Sequence, residues 1–202
     1  MTASADRGGP RTSIRVRAGL AAGLVFGLAA GLTVASWTDA EFSRATFTAS
    51  SFDIQTSLAG GTYTASTTVS GTVNGMYPGG AASYIALRVK TTSGSVAGSV
   101  SLSSAANTTD LLAPALHYRI VQSSASCTSA VYTGSPAYVV GGASTYQLVS
   151  AALAPTAPIA VAAAGGTEAA YCIELSVIPG SSQTTYQGKS ATVSWTISGV
   201  SS

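Results

Sequence analysis

Tyr171-Cys172-Ile173-Glu174-Leu175-Ser176-Val177 is the stretch that decides the fold. Tyr171, Ile173, Leu175 and Val177 alternate with Cys172, Glu174 and Ser176. A period of two puts successive side chains on opposite faces, so this is a strand with one face in a core and the other toward water. The same alternation runs through Tyr84–Lys90, where Ile85, Leu87 and Val89 alternate with Tyr84, Ala86, Arg88 and Lys90. It recurs in Thr192–Ile197, where Val193, Trp195 and Ile197 alternate with Thr192, Ser194 and Thr196. One wet face per strand is the pattern of antiparallel sheets.

Working outward, weaker strand patterns fall at 46–55, 62–73, 96–103, 116–122, 131–140 and 144–150. Gly pairs at 60–61, 79–80, 141–142 and 165–166 punctuate them, as turns that need positive φ require. The Ala- and Pro-rich stretch 151–166 reads as a surface connection, because Pro155 and Pro158 interrupt any helix there. The expected fold is all-β: an antiparallel jelly roll or β-sandwich of roughly eight to nine short strands.

Composition agrees. The 202 residues include 31 Ser, 25 Thr and 22 Gly but only 16 charged side chains, which excludes a helical bundle or coiled coil. With 46% hydrophobic residues and a net charge of +2, the chain has enough apolar surface to fold. Four basic residues (Arg7, Arg11, Arg15, Arg17) crowd the first 17 positions, whereas from Trp37 onward five basic face six acidic residues. The body therefore carries about −1, with no clustered basic patch for nucleic acid.

The basic start is followed by the uncharged, Ala- and Gly-rich run 18–36. Together they match the charged and apolar regions of a secretory signal peptide, expected as a helix over 1–36. Val34 and Ser36 place small residues before a cut between Ser36 and Trp37. An uncleaved membrane anchor is the alternative, although the small-residue composition suits a permanent span poorly. The mature chain then has a segment 37–45 ahead of a sandwich domain 46–202. Cys127 and Cys172 both fall in the exported part, where a pair reads as a disulfide contributing ~2–4 kcal/mol. With Tyr171, Ile173 and Leu175 inward, Cys172 sits on the outer face, so the bridge staples a loop carrying Cys127 to the sheet.

Catalytic constellations are sparse. His117 is the one histidine, and it reads as an exposed strand residue beside inward-pointing Leu116, Tyr118 and Ile120. A zinc hydrolase needs at least three ligands and usually an H-E-x-x-H helix, which a single His cannot supply. No serine lies in G-x-S-x-G, and Gly94-Ser95-Val96-Ala97-Gly98 lacks the Lys of a phosphate loop. Six scattered acids give no glycosidase pair. Asn107-Thr108-Thr109 has the glycosylation pattern but reads as an ordinary loop. No catalytic residue, metal ligand or cofactor is expected.

Several short motifs carry a family resemblance. They are Trp37-Thr38-Asp39 at the new N-terminus, Thr46-Phe47-Thr48-Ala49-Ser50-Ser51-Phe52-Asp53-Ile54, Met76-Tyr77-Pro78-Gly79-Gly80, and Tyr186-Gln187-Gly188 before the last strand. In this order the chain resembles the TasA and camelysin family, exported through a SipW-type signal peptidase. Ser51 and Gly80 depart from the family pattern, and the region with both cysteines aligns with no family motif. The resemblance implies a secreted or cell-surface jelly roll with a structural role in extracellular or biofilm matrix. It implies self-association, or association with other matrix proteins, through the freed N-terminal segment, with Trp37, Phe42 and Phe47 as its aromatic anchors. Two alternatives stay open: an exported camelysin-like hydrolase, and a carbohydrate-binding or adhesive sandwich using Tyr63, Tyr77 or Tyr132 as a stacking surface.

Overall fold

Strand β9 (Ala169–Val177), the element with the clearest alternation, lies in the middle of the larger of two sheets. The computed structural model describes residues 51–73 and 75–202. The expected signal segment 1–36, the Ser36–Trp37 cleavage site, and Trp37, Phe42 and Phe47 of the assembly segment lie outside the described residues.

The other strands are β1 (Ile54–Leu58), β2 (Thr68–Val73), β3 (Ser83–Thr91), β4 (Gly98–Ser103), β5 (Leu116–Gln122), β6 (Tyr138–Val140), β7 (Gln147–Leu148), β8 (Ile159–Val161) and β10 (Ala191–Ser201). The larger sheet runs β1-β3-β9-β5-β6, with β7 also paired to β5, and the smaller runs β2-β10-β4-β8. Every strand pairing is antiparallel. With β1 set aside as an added edge strand, β2-β10-β4-β8 facing β3-β9-β5-β6 is the strand order of a jelly roll.

The core lies between the sheets. Leu87, Val89, Tyr118, Ile120, Ile173 and Leu175 point into it from the larger sheet, and Val100, Leu102, Trp195 and Ile197 from the smaller. Fully burying side chains of this size contributes roughly 1.5–3 kcal/mol each. Trp195 and Tyr118 meet edge to face, with centroids 5.8 Å apart at 88°, the geometry the ring quadrupoles favour.

One end of the sandwich is closed by Phe52. Residues 51–53 run alongside the β3–β4 connection, with Ser51 C=O accepting from Val96 N–H and Asp53 C=O from Thr92 N–H. The Phe52 ring then rests where side chains of Gly98 on β4 and Gly199 on β10 would stand; a Cβ on Gly199 would lie 2.5 Å from the ring. Two glycines thus make a platform that any larger residue would fill.

Three expectations need correction. Among the described residues there are ten strands, because Ile159–Val161 pairs with Val100–Gly98 inside the stretch 151–166 that reads as a connection. Pro155 and Pro158 do prevent a helix there, but the three residues after Pro158 are free to form an edge strand. The region 131–140 contributes only Tyr138–Val140, and Ser129–Tyr132 is a 3-10 turn. Finally, the outer face of β9 is not wet: Cys172 is fully buried and Glu174 is 6% exposed. The loop after β5 that carries Cys127 and Tyr132, with Tyr138 and Tyr146 beyond it, covers that face as a third layer.

Candidate functional site

The register of β5 against β9 sets three cross-strand pairs on the outer face of the larger sheet: His117 with Ser176, Arg119 with Glu174, and Val121 with Cys172. Cys172 is bonded to Cys127, with Cα atoms 5.1 Å apart, as the sequence suggests. The bridge ties down the loop after β5, and this loop delivers Tyr132. The Tyr132 hydroxyl donates to the Cys172 carbonyl at 2.7 Å and lies 3.2 Å from the Arg119 carbonyl.

Tyr132, Tyr138 and Tyr146 surround the Arg119 guanidinium, at 4.7, 5.9 and 5.0 Å from their ring centroids. Arg119 donates to the Glu174 carboxylate at 2.9 Å and to the Ala143 carbonyl at 2.7 Å. Gly141, at φ +74°, makes the turn that brings Ala143 within reach; a Cβ there would strike the Thr145 carbonyl. A cation taken from water is tolerated only when paired and hydrogen-bonded, and the carboxylate, carbonyls and ring faces provide this. The Tyr132 phenol is pushed well above its ordinary pKa, first by burial and then by the Glu174 charge. It is therefore a proton donor at any neutral pH.

His117 is half-buried rather than exposed, because its ring stacks on Tyr146 at 4.1 Å and 10°. Tyr146 thus has His117 and Arg119 packed against its ring. Burial pushes the His117 pKa below its ordinary value; Glu174 opposes this and Arg119 adds to it.

A second fastening lies toward the other end of the sheet. Arg88 on β3 pairs with Glu168 at 3.4 Å and donates to the Ser124 and Ala125 carbonyls. Tyr63 donates to Glu168, and Lys90 lies 3.9 Å from the Tyr63 ring centroid. Tyr63 and Tyr132 are therefore engaged within the protein, which removes both as a free stacking surface. Tyr77 alone of the three expected tyrosines is exposed, at 55%. Asn107 braces its loop, its amide donating to Asp110 and to the Thr192 carbonyl, both at 2.8 Å.

The smaller sheet presents a different surface. Thr68, Ser70 and Thr72 on β2 stand opposite Thr196, Ser194 and Thr192 on β10, all exposed, with Ser70 and Ser194 hydroxyls 2.7 Å apart. On its other side β2 has no strand neighbour among the described residues. Its sequence Thr-Val-Ser-Gly-Thr-Val holds no charge and no proline, the usual protections of an open edge.

The sequence reading missed the Arg119–Glu174 pair and its aromatic cover. The available signal was the set Tyr132, Tyr138 and Tyr146 in a connection anchored by Cys127, since a stapled loop rich in tyrosine packs onto whatever face it crosses. Comparison with family models, with curated proteins and with solved structures returned no match.

Proposed function

We propose that the chain is an exported, non-catalytic structural protein of the cell surface or extracellular matrix that associates with copies of itself or with other matrix proteins through sheet edges. The observation that carries this reading is the β2 edge, which has no strand neighbour among the described residues, is uncharged and without proline, and borders a hydroxyl-bearing face. Edges of this kind accept a further strand, with main-chain hydrogen bonds supplying affinity. The Cys127–Cys172 bridge is compatible with an oxidising, extracellular location.

In this reading signal peptidase cuts between Ser36 and Trp37, and removal of the signal releases the segment 37–45 to lie along a neighbour's edge. Until then the chain is held at the membrane by the signal segment alone. The protein needs no cofactor and does not bind nucleic acid.

The test compares protein starting at Trp37 with protein starting at Thr46, by light scattering over hours and by negative-stain microscopy. Filaments or growing scatter from the longer form only are expected. Equal behaviour of the two forms removes the segment from the mechanism. Casein hydrolysis abolished by a chelator would replace the structural reading with a hydrolase.

A further inference from the structure

Gly79 and Gly80, the last two residues of the turn Tyr77-Pro78-Gly79-Gly80, line a groove that the assembly reading leaves unused. The turn's hydrogen bond from Gly80 N–H to Tyr77 C=O is 2.9 Å, and Gly79 has φ +76°, which together make a type II turn with Pro and Gly at its two central positions. A Cβ on Gly80 would come within 3.2 Å of the Tyr77 ring, so the bare glycine lets the ring lie against the turn. The stacked rings of His117 and Tyr146 line the same groove, together with Ser144, Leu148 and Ser176. The groove encloses about 540 Å³, inside the ~300–1,000 Å³ of small-ligand sites.

Three features define its chemistry. No Asp, Glu, Lys or Arg lines it. Its aromatic surface is supported from within, because the Tyr146 ring is packed against both His117 and Arg119. The Ser144 and Ser176 hydroxyls and the His117 imidazole make no hydrogen bond to any other described residue, although they gather at one groove. Burial keeps His117 neutral near pH 7, and a neutral imidazole both donates and accepts.

We propose that this groove binds a neutral saccharide, one pyranose resting its C–H face on the His117 ring while its hydroxyls bond Ser144, Ser176 and the His117 imidazole nitrogens. Uncharged hydroxyls need both donors and acceptors, which these three side chains offer. An acidic sugar would meet no cation in the groove.

The test is affinity electrophoresis of the native, disulfide-bonded protein through gels containing hydroxyethylcellulose, laminarin, dextran or glycol chitin, with alginate as the acidic comparison. Retardation by at least one neutral polysaccharide and none by alginate is expected. Ser144→Ala, and more strongly Ser144→Ala/Ser176→Ala, should weaken that binding, at least tenfold for the pair, with the melting temperature unchanged, since Ser144 is exposed and Ser176 only half-buried. Four results would overturn the proposal: no retardation in any neutral gel, retardation by alginate alone, variants that bind as the parent does, or displacement of the sugar by an oligoproline peptide that binds more tightly. Binding does not require assembly, so this test stands or falls apart from the light-scattering comparison.

Discussion

Arg119 and Glu174 face each other across β5 and β9 at 2.9 Å, with side chains 12% and 7% exposed. The pair holds the third layer in place because the same guanidinium also binds loop carbonyls and tyrosine faces. Removing one partner leaves the other charge in a dry place, which for buried pairs costs ~3–5 kcal/mol. Arg119→Ala or Glu174→Gln should therefore lower the melting temperature by roughly 6–20 °C, at ~2–4 °C per kcal/mol for a domain of this size. Arg119→Met/Glu174→Leu, which removes both charges and keeps volume, should recover most of the loss. Scanning calorimetry of the three variants checks this, and a double variant as unstable as the singles would contradict it.

The disulfide should act on the same layer. Closing a 45-residue separation restricts the unfolded chain by about 4 kcal/mol in the loop-entropy picture. Cys127→Ala/Cys172→Ala should then melt about 8–16 °C lower than the parent. Because Tyr132 reaches the Cys172 carbonyl, its fluorescence should become quenchable by iodide at temperatures well below the main transition. Labelling of two free thiols in the native parent would show that no bridge is present.

The sandwich was legible and its covering layer was not, for a physical reason. Alternation in Tyr84–Lys90, Tyr171–Val177 and Thr192–Ile197 reports the inner face directly, because burial between two sheets demands apolar residues at every second position. The outer face of β9 carries Cys172, Glu174 and Ser176, a polar set that looks solvated from sequence alone. Its burial depends on the loop after β5 folding back over it, which no local period records. Arg119 reads as solvent-facing on the same grounds until Glu174 is seen opposite it. Ile159–Val161 was hidden because three residues are too few to display a period. The Tyr77 turn, by contrast, could be read from Pro78-Gly79, since each residue there fixes a backbone angle.

Asp110 gives a pH dependence of definite sign. Its carboxylate accepts from Thr192 N–H at 2.7 Å and from Asn107 at 2.8 Å, and these bonds, the backbone one first, hold its pKa below the ordinary carboxylate value. The unfolded chain therefore takes up the proton before the folded one does. The contribution is present in full above the ordinary value near 4 and is lost as pH falls through the depressed folded value. Asp110→Asn should destabilise the protein at pH 6 and approach the parent's stability at pH 2–3. Melting curves across that range check it; a variant deficit that grows toward low pH would have the wrong sign.

The Phe52 platform separates two kinds of crowding. A methyl on Gly199 would meet the Phe52 ring, whereas one on Gly98 would meet both the ring and the Val200 carbonyl. A ring can be removed, but a carbonyl inside a paired strand cannot move without breaking the sheet. Gly199→Ala and Gly98→Ala should both destabilise. Adding Phe52→Ala should relieve the first by about 1 kcal/mol or more and leave the second unrelieved, a coupling of the size found for residues in contact. Double-mutant cycles by urea unfolding measure it directly.

The edge of β2, without a strand neighbour among the described residues, makes the assembly reading testable without touching the N-terminus. Ser70 and Thr72 are exposed on the outer face, opposite Ser194 and Thr192, and no charged residue lies on β2. Lysines on an edge strand block pairing with another chain, because the incoming strand must desolvate or repel the ammonium groups. Within the monomer they add long, solvated side chains beside hydroxyls, so Ser70→Lys/Thr72→Lys should shift the stability by no more than about 0.5–1 kcal/mol. Scattering by the Trp37-starting protein should then fall to that of the shorter form. If the lysine variant assembles as fast as the parent at low salt, where the charges act most strongly, β2 is not the edge that pairs. In that event β1 becomes the edge to test next, although its Thr56 already exchanges two main-chain hydrogen bonds with Thr64 at 2.9 Å.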